Sequence, residues 1–272
     1  MNSNRSNFEG KNPDEPEEYI DYEDMFDWEE YPDDELIKAK PRLNFAIKLL
    51  ALITLISFLA LSYPWLKHLV DGSIIFIQQD QALNKDSIVI TAKPSVVSIE
   101  SNTTSPPSRK GTGFVITEEK LIVTNAHIVN NAKSIEITYS DGTKEFSNNY
   151  EIIGENDIAI IYTNEREVPH LSLETENPAD IGDIVTIIGN PLGYNKIAQR
   201  GKVENYYDIN NNSIPALIID IPIKPGNSGS PVLNQEGKVV GIIFASLNYT
   251  ENDIEKTQAL AIPIHVIDAF FK

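Results

Sequence analysis

Hydrophobic positions divide the chain into three textures. Residues 1–44 hold few aliphatic pairs, and the stretch "NPDEPEEYIDYEDMFDWEEYPDDE" alternates acids with aromatics instead. Residues 45–66, "FAIKLLALITLISFLALSYPWL", are apolar on every face, with Lys48 the one charge. At ~1.5 Å per residue such a helix is ~33 Å long, enough for the hydrocarbon core of a bilayer. From about residue 92 the texture changes to short alternating or β-branched runs punctuated by Gly, Pro, Asn or Asp. "SVVSIE", "GTGFVIT", "KLIVTNA", "SIEITYS", "DIAIIYT", "DIVTIIG", "IAQRGKVENYY", "ALIIDI", "SPVL", "KVVGIIFASL" and "QALAIPI" each predict a strand. "HVIDAFFK" predicts a short closing helix. Many short strands with little helical periodicity imply an all-β sandwich or barrel fold, and residues 92–272 are long for one sandwich and suit two small barrels. Residues 67–91 are left as a stem, with an apolar patch at 74–77 suited to a membrane surface.

Charge sharpens this division. The formal net charge of −18 is concentrated at the start, where residues 1–36 carry fourteen Asp/Glu against Arg5 and Lys11. Dense like charge with few aliphatics predicts a solvated, disordered tail. The interleaved Tyr19, Tyr22, Phe26, Trp28 and Tyr31 leave a second reading open, in which the tail folds onto a basic cytoplasmic partner. Lys38, Lys40, Arg42 and Lys48 sit at the N-terminal flank of the apolar segment, which predicts N-terminus inside and C-terminus outside. Lys48 can snorkel, and Tyr63 and Trp65 suit an interfacial belt. A cleaved signal peptide would have a short leading region, whereas 44 residues precede the run, so the expectation is an uncleaved signal anchor. An acidic chain without clustered Lys/Arg argues against nucleic acid. The absence of cysteine excludes disulfides, Cys-zinc sites and a Cys nucleophile.

One polar stretch, "IKPGNSGSP" at 223–231, stands between apolar runs and reads either as a surface turn or as a nucleophile loop. A catalytic serine needs a base, a carboxylate to orient it, and backbone donors for an oxyanion. The chain has four histidines: His68 beside the apolar segment, His170 in a loop, His265 at the closing helix, and His127 in "IVTNAHIVN" directly after an apolar strand. Asp157 in "ENDIAIIYT" heads another apolar strand, either as a plain turn residue or as a partner for a histidine Nδ1–H. Ser228 follows in "GNSGS". The order His…Asp…Ser is the chymotrypsin order and differs from the subtilisin and α/β-hydrolase orders.

With these residues in place the segment 92–272 resembles a trypsin-like (chymotrypsin-fold) serine protease of the bacterial HtrA/DegP branch. The matching stretches are "PSVVSIES" (94–101), "GTGFVIT" (111–117), "VTNAHIV" (123–129), "NDIAII" (156–161), "GNPLG" (189–193), "PGNSGSPVLNQEGKVVGI" (225–242) and "ALAIP" (259–263). The resemblance implies two six-stranded antiparallel β-barrels. It implies that His127 is the general base and then acid, that Asp157 orients it, and that Ser228 attacks, with the backbone N–H groups of Gly226 and Ser228 as oxyanion hole. These roles are the ones established for that family. It implies no metal or organic cofactor, polypeptide substrates that are unfolded or misfolded proteins, and a homo-oligomer, since trimers are common in the family.

Departures from the family pattern shape the remaining expectations. Ser230 stands where a second glycine is usual after the nucleophile, and the "GNSG" register favours Ser228 as the attacking residue. The chain stops at Lys272 without the PDZ domain with which HtrA proteins commonly continue. Pro222 and Ile223 lie where trypsin-type enzymes place a buried acid, so no preference for Lys/Arg at P1 is expected. Phe244, Ala245 and Ser246 are the candidate substrate-binding wall, suited to a medium-sized aliphatic side chain. The function expected is a membrane-anchored, extracytoplasmic serine endopeptidase. The alternative, from another class, is a latent or inactive protease-fold scaffold that recruits a partner through the acidic tail.

Overall fold

The structure, a computed structural model, describes residues 41–103, 107–116, 121–164, 167–193, 196–208, 215–251, 254–267 and 270. The acidic tail and part of the expected closing helix lie outside these residues. The chain divides into two compact units, Met1–Pro64 and Trp65–Lys272. In the first unit helix α1 (Pro41–Leu83) begins. Its stretch Asn44–Tyr63 has a mean hydropathy of 2.3 and is long and apolar enough to cross a membrane. Phe45, Leu50, Phe58 and Leu61 all stand exposed there.

In the second unit, residues 67–91 are helical. Helix α1 runs on to Leu83, and α2 (Ser87–Ala92) follows after a turn. Phe76, in the patch expected to rest on a membrane surface, is buried within the protein instead. Asp80 accepts hydrogen bonds from the Ala198 N–H (2.8 Å) and from Lys93 Nζ (2.6 Å), which docks the last turns of α1. Asp86 caps α2 by accepting from the Ile88 N–H at 2.9 Å. The Arg200 guanidinium, 2.7 Å away, holds the Asp86 carboxyl below its usual range.

Two antiparallel sheets follow. The first is built from β1 (Val96–Thr103), β2 (Arg109–Val115), β3 (Leu121–Thr124), β4 (Ala132–Thr138), β5 (Lys144–Ser147), β6 (Tyr150–Ile153) and β7 (Ile158–Tyr162), with the one-turn helix α3 (Ala126–Val129) after β3. Its strand order is β5-β4-β1-β2-β3-β7-β6. The two outermost strands are consecutive in sequence and joined only by residues 148–149, so the sheet must curl back on itself. The second sheet comprises β8 (Ile184–Gly189), β9 (Ile197–Tyr207), β10 (Ala216–Ile219), β11 (Pro231–Leu233), β12 (Val239–Glu251) and β13 (Ile254–Pro263). It closes into a six-stranded barrel in the order β10-β13-β12-β11-β8-β9.

The expected all-β architecture of two barrel-like halves is therefore present, with the first half a curled seven-stranded sheet. Strands β5 and β6 ("KEFS", "YEII") were not foreseen. They are edge strands without a buried face, so they carry no apolar alternation. The closing helix expected at 265–272 is, among the described residues, a single 3-10 turn, Ile264–Ile267. Ile264 and Ile267 eclipse at that spacing and both bury, so one turn directly after Pro263 suffices to seal the core.

Three apolar clusters hold this unit together. One fills the first sheet (Val97, Ile99, Ile122, Ile135, Ile137, Ile161) and one fills the barrel (Val185, Ile187, Leu217, Ile219, Val232, Ile243). The third lies between the halves, with Phe114, Val123, Ile158 and Ile160 facing Ile188, Leu233, Ile242 and Ile262. Strand β7 shows why its sequence is a continuous apolar run. Ile158 and Ile160 face the barrel while Ala159 and Ile161 face the sheet interior. Strand β4 has only one such face, and its other face is polar (Ser134, Glu136, Thr138). Residues 171–174 lace the halves together: the Leu171 N–H donates to Val115 O (2.8 Å) and the Glu174 N–H to Val239 O (2.9 Å).

Candidate active site

His127 sits in α3, directly after the buried end of β3, and Asp157 ends the turn that leads into β7. Strand β3 pairs with β7, Thr124 opposite Ala159, so the two strand ends bring the residues together. The contact is made at both carboxylate oxygens. The His127 N–H donates to Asp157 Oδ1 at 2.8 Å, and His127 Nδ1 lies 2.7 Å from Oδ2. An ionised carboxylate only accepts, so the hydrogen is on Nδ1 and the Nε2 lone pair is open. The backbone of Asp157 is held as well. Its carbonyl accepts from the Ala126 N–H (3.0 Å) and from Asn125 Nδ2 (3.0 Å). These bonds keep Asp157 at φ = +55°, a left-handed conformation that a non-glycine residue adopts at a cost. Arg109 Nη1 donates to the carbonyls of His127 (2.8 Å) and Asn130 (2.9 Å), covering the exposed end of α3.

Ser228 lies on the other half, in the loop between β10 and β11. The Asn227 N–H donates to Lys224 O at 3.1 Å, which closes a turn with Pro225 and Gly226 at its centre. Gly226 has φ = +103°, so the turn is type II, a conformation that requires glycine at this position. The next residues are gripped on both sides. Ser228 O accepts from the Thr112 N–H (2.8 Å) on β2, and the Gly229 N–H donates to Ile243 O (2.7 Å) on β12. Gly229 has φ = +83°, and a Cβ there would stand 2.0 Å from Thr112 O. Ser230 is fully buried whereas Ser228 is half-buried, which separates the two serines physically. Among the described residues, the N–H groups of Gly226 and Ser228 donate to no protein acceptor, and no hydrogen bond joins Ser228 to His127.

The two parts meet at Gly111. A Cβ on it would strike Ile128, the neighbour of His127, and would lie 3.0 Å from Ser228 O. Beside the turn opens a cleft of about 560 Å³, lined by Gly111, Asn190, Pro225, Gly226, Glu100 and Glu136. A hydrogen bond from Lys110, 2.9 Å from Glu100, holds the Glu100 carboxyl below its usual range. Of the candidate substrate wall, Phe244 sits at a β-bulge between Ile243 and Ala245 and packs on the core between the halves. Ala245 is half-buried and Ser246 exposed, just past the residue that pairs with the loop. Ile223 is buried in the barrel core, and Pro222 O accepts from Gln199 Nε2 at 3.0 Å.

Sequence reasoning missed Arg109, Thr112, Asn125 and Asn190. Thr112 lies inside the strand "GTGFVIT", where a polar residue in an apolar run was the available signal, whereas Asn190 in "GNPLG" follows the end of β8, where a polar residue is ordinary. Among the described residues no cluster of His, Cys, Asp and Glu could hold a metal ion.

A closed barrel beside a curled sheet, with a His–Asp pair on one and a glycine-flanked serine on the other, is the layout of a chymotrypsin-fold peptidase domain. The family described as trypsin-like peptidase domain matches residues 111–242. A probable periplasmic serine endoprotease, DegP-like, of Chlamydia muridarum is 32% identical over 143 residues, 49% of this chain and 27% of its own length. The chain thus spans about a quarter of that relative. Among solved structures, the serine endoprotease from Yersinia pestis superposes with a TM-score of 0.58 at 24% identity, covering 68% of this chain and 64% of that one. The Rv3671c protease from M. tuberculosis, in its active form, gives 0.59 at 24% identity over 70% of this chain and 85% of that one. Residues 111–242 thus match the trypsin-like peptidase domain family, and this part of the chain is similar to DegP-like serine endoproteases.

Proposed function

We propose that the protein is a membrane-anchored serine endopeptidase that hydrolyses peptide bonds of unfolded or misfolded proteins outside the cytoplasm. The observation that carries this reading is the two-point His127–Asp157 pairing on one half, matched on the other by the N–H groups of Gly226 and Ser228, which find no acceptor among the described residues. Ser228 Oγ attacks the scissile carbonyl carbon while His127 Nε2 takes its proton, and Asp157 stabilises the imidazolium. The new oxyanion is held by the N–H groups of Gly226 and Ser228. The C–N bond then breaks as His127 returns the proton to the departing amine. Water, deprotonated by the same imidazole, attacks the acyl carbon, and His127 returns that proton to Ser228 Oγ as the ester C–O bond breaks. The cleft beside Gly226 would receive the polypeptide, with Phe244, Ala245 and Ser246 as the substrate wall. The Asn44–Tyr63 stretch would anchor the chain, with its basic flank and the acidic tail in the cytoplasm.

The test uses the full chain in detergent. Fluorescent casein should be cleaved, and Ser228→Ala should lower the rate by roughly 10⁵-fold or more, because the triad acts as a unit. Equal cleavage by both proteins would sink the mechanism. The absent His127–Ser228 hydrogen bond favours a second reading, a latent scaffold that recruits a partner through its tail. A fluorophosphonate probe separates the two: labelling at Ser228 supports the enzyme, and silence under all conditions supports the scaffold.

A further inference from the structure

Thr112, on β2 and fully buried, uses every polar atom it has on the site. Its N–H donates to Ser228 O, and its carbonyl accepts from Thr124 Oγ1 (2.7 Å). Its hydroxyl donates to Gly226 O at 2.7 Å. Asn190 approaches that hydroxyl with two donors, its backbone N–H (3.0 Å) and its side-chain Nδ2 (3.1 Å). A hydroxyl has one proton and two lone pairs. With both lone pairs occupied by Asn190, the proton can go only to Gly226 O. Asn190 is itself fixed, Nδ2 donating to Val97 O (3.1 Å) and Oδ1 accepting from the Lys196 N–H (3.0 Å).

The Gly226–Asn227 peptide is therefore held at both ends, its carbonyl by Thr112 and its N–H by Lys224 O. Type I and type II turns differ by a flip of the preceding peptide, here Pro225–Gly226, which reverses the direction of the Gly226 N–H. With the following peptide fixed, only φ and ψ of Gly226 remain to set that direction, so fewer turn forms are open to it than in an unanchored loop. A water at the rim of the cleft would satisfy the Gly226 carbonyl equally well without fixing it. We propose that Thr112 and Asn190 are positioning residues that hold the Gly226 turn in the form that aims its N–H at the reacting carbonyl. The proposal rests on the peptidase reading above and assigns the setting of the oxyanion donor to a pair drawn from both halves, Thr112 on β2 of the first sheet and Asn190 directly after β8 of the barrel.

Fluorophosphonate labelling of the full chain in detergent tests this through the rate of the bound step and the half-saturation of the probe, measured separately. Thr112→Val should slow the bound step about 10- to 100-fold, a fraction of what outright loss of an oxyanion donor costs, with half-saturation unchanged within about twofold. Thr112→Ser, which keeps the hydroxyl, should restore the rate to within about threefold. Should Thr112→Val fail to fold, Thr112→Ala removes the hydroxyl without setting a methyl against the Asn190 donors. Asn190→Asp, nearly isosteric, turns a donor into an acceptor that draws the hydroxyl proton away from Gly226, and should slow the bound step to a similar degree. A merely structural role would lower the labelled fraction or the thermal midpoint and leave the rate of the folded fraction alone. Wild-type rates in the hydroxyl-free variants and in Asn190→Asp, with Ser228 still labelled, overturn the proposal while the peptidase reading stands. Slowing by Thr112→Ser equal to that of Thr112→Val assigns the effect to packing and overturns it too. A wild-type chain that is not labelled, or a Ser228→Ala chain labelled equally, overturns both.

Discussion

The two parts of the site are built from different materials. On the first sheet, His127 and Asp157 are joined by their side chains, and the surrounding backbone serves that contact. On the barrel, the Ser228 side chain has no hydrogen-bond partner among the described residues, and its loop is shaped by glycines at φ = +103° and +83° pressed against β2. One part is specified by functional groups and the other by backbone geometry. The same kind of substitution should therefore do opposite damage in the two places: a change of chemistry without a change of shape disables the first, and a change of shape without a change of chemistry disables the second.

Asp157→Asn is the sharpest way to test the first half. The carboxylate accepts at both oxygens, from the His127 N–H and from Nδ1–H. An amide offers one oxygen, which the backbone N–H claims, so its NH₂ faces Nδ1. Nδ1 must then accept, the imidazole proton moves to Nε2, and the base can no longer take a proton from Ser228. In a Ser-His-Asp triad that wrong tautomer costs about 10⁴ in kcat, or ~5 kcal/mol of barrier, and the proposed mechanism predicts the same loss in casein cleavage here. The urea midpoint should hardly move, since shape and hydrogen-bond count are kept. A loss below tenfold would mean that the pairing is structural.

Gly229→Ala is the converse. Its Cβ would lie 2.0 Å from the Thr112 carbonyl and 2.6 Å from Thr124 Oγ1, at a backbone angle that favours glycine. Neither obstacle is the far end of a flexible side chain, so the loop must leave β2. The expected loss is about 3–5 kcal/mol of unfolding free energy, in the range of overpacking combined with φ strain, measured by urea denaturation. A variant of wild-type stability would show that the junction yields easily, and the contrast between the halves would weaken.

That contrast also explains what the sequence disclosed. His127, Asp157 and Ser228 stood out as candidates because they followed apolar strands or sat between glycines, in one of the few orders that triads use, and the structure pairs the first two. The continuous apolar runs of β3 and β7 announced strands buried on both faces. Strands β5 and β6 were silent because an edge without a buried face needs no alternation. The helical course of residues 67–91 was hidden for another reason. Its anchors, Asp80 and Asp86, are ordinary surface residues until Ala198, Lys93 and Arg200 meet them from distant parts of the chain. Thr112 was illegible in the same way, since a strand threonine becomes notable only when Gly226 and Asn190 arrive at its hydroxyl.

The smallest effect belongs to the segment that ties the halves together. Glu174 donates its N–H to Val239 O, and its side chain lies 2.9 Å from Lys238 Nζ. The Lys238 hydrogen bond, with further bonds from Asn177, holds the Glu174 carboxyl down at about 2. A carboxylate whose pKa is depressed on folding stabilises the fold above its unfolded value, near 4.5, and loses that contribution as pH falls toward the folded value. Lys238→Met removes the main cause of the depression and leaves both parts of the site untouched. Casein cleavage at pH 7 should therefore stay at the wild-type level, while the urea midpoint drops modestly. The gap between wild type and variant should be constant above about pH 5.5, narrow through pH 4 and 3, and close as Glu174 becomes protonated in both proteins. A gap unchanged between pH 7 and pH 3 would assign the loss to the Lys238 stem packing on the linker and not to its charge.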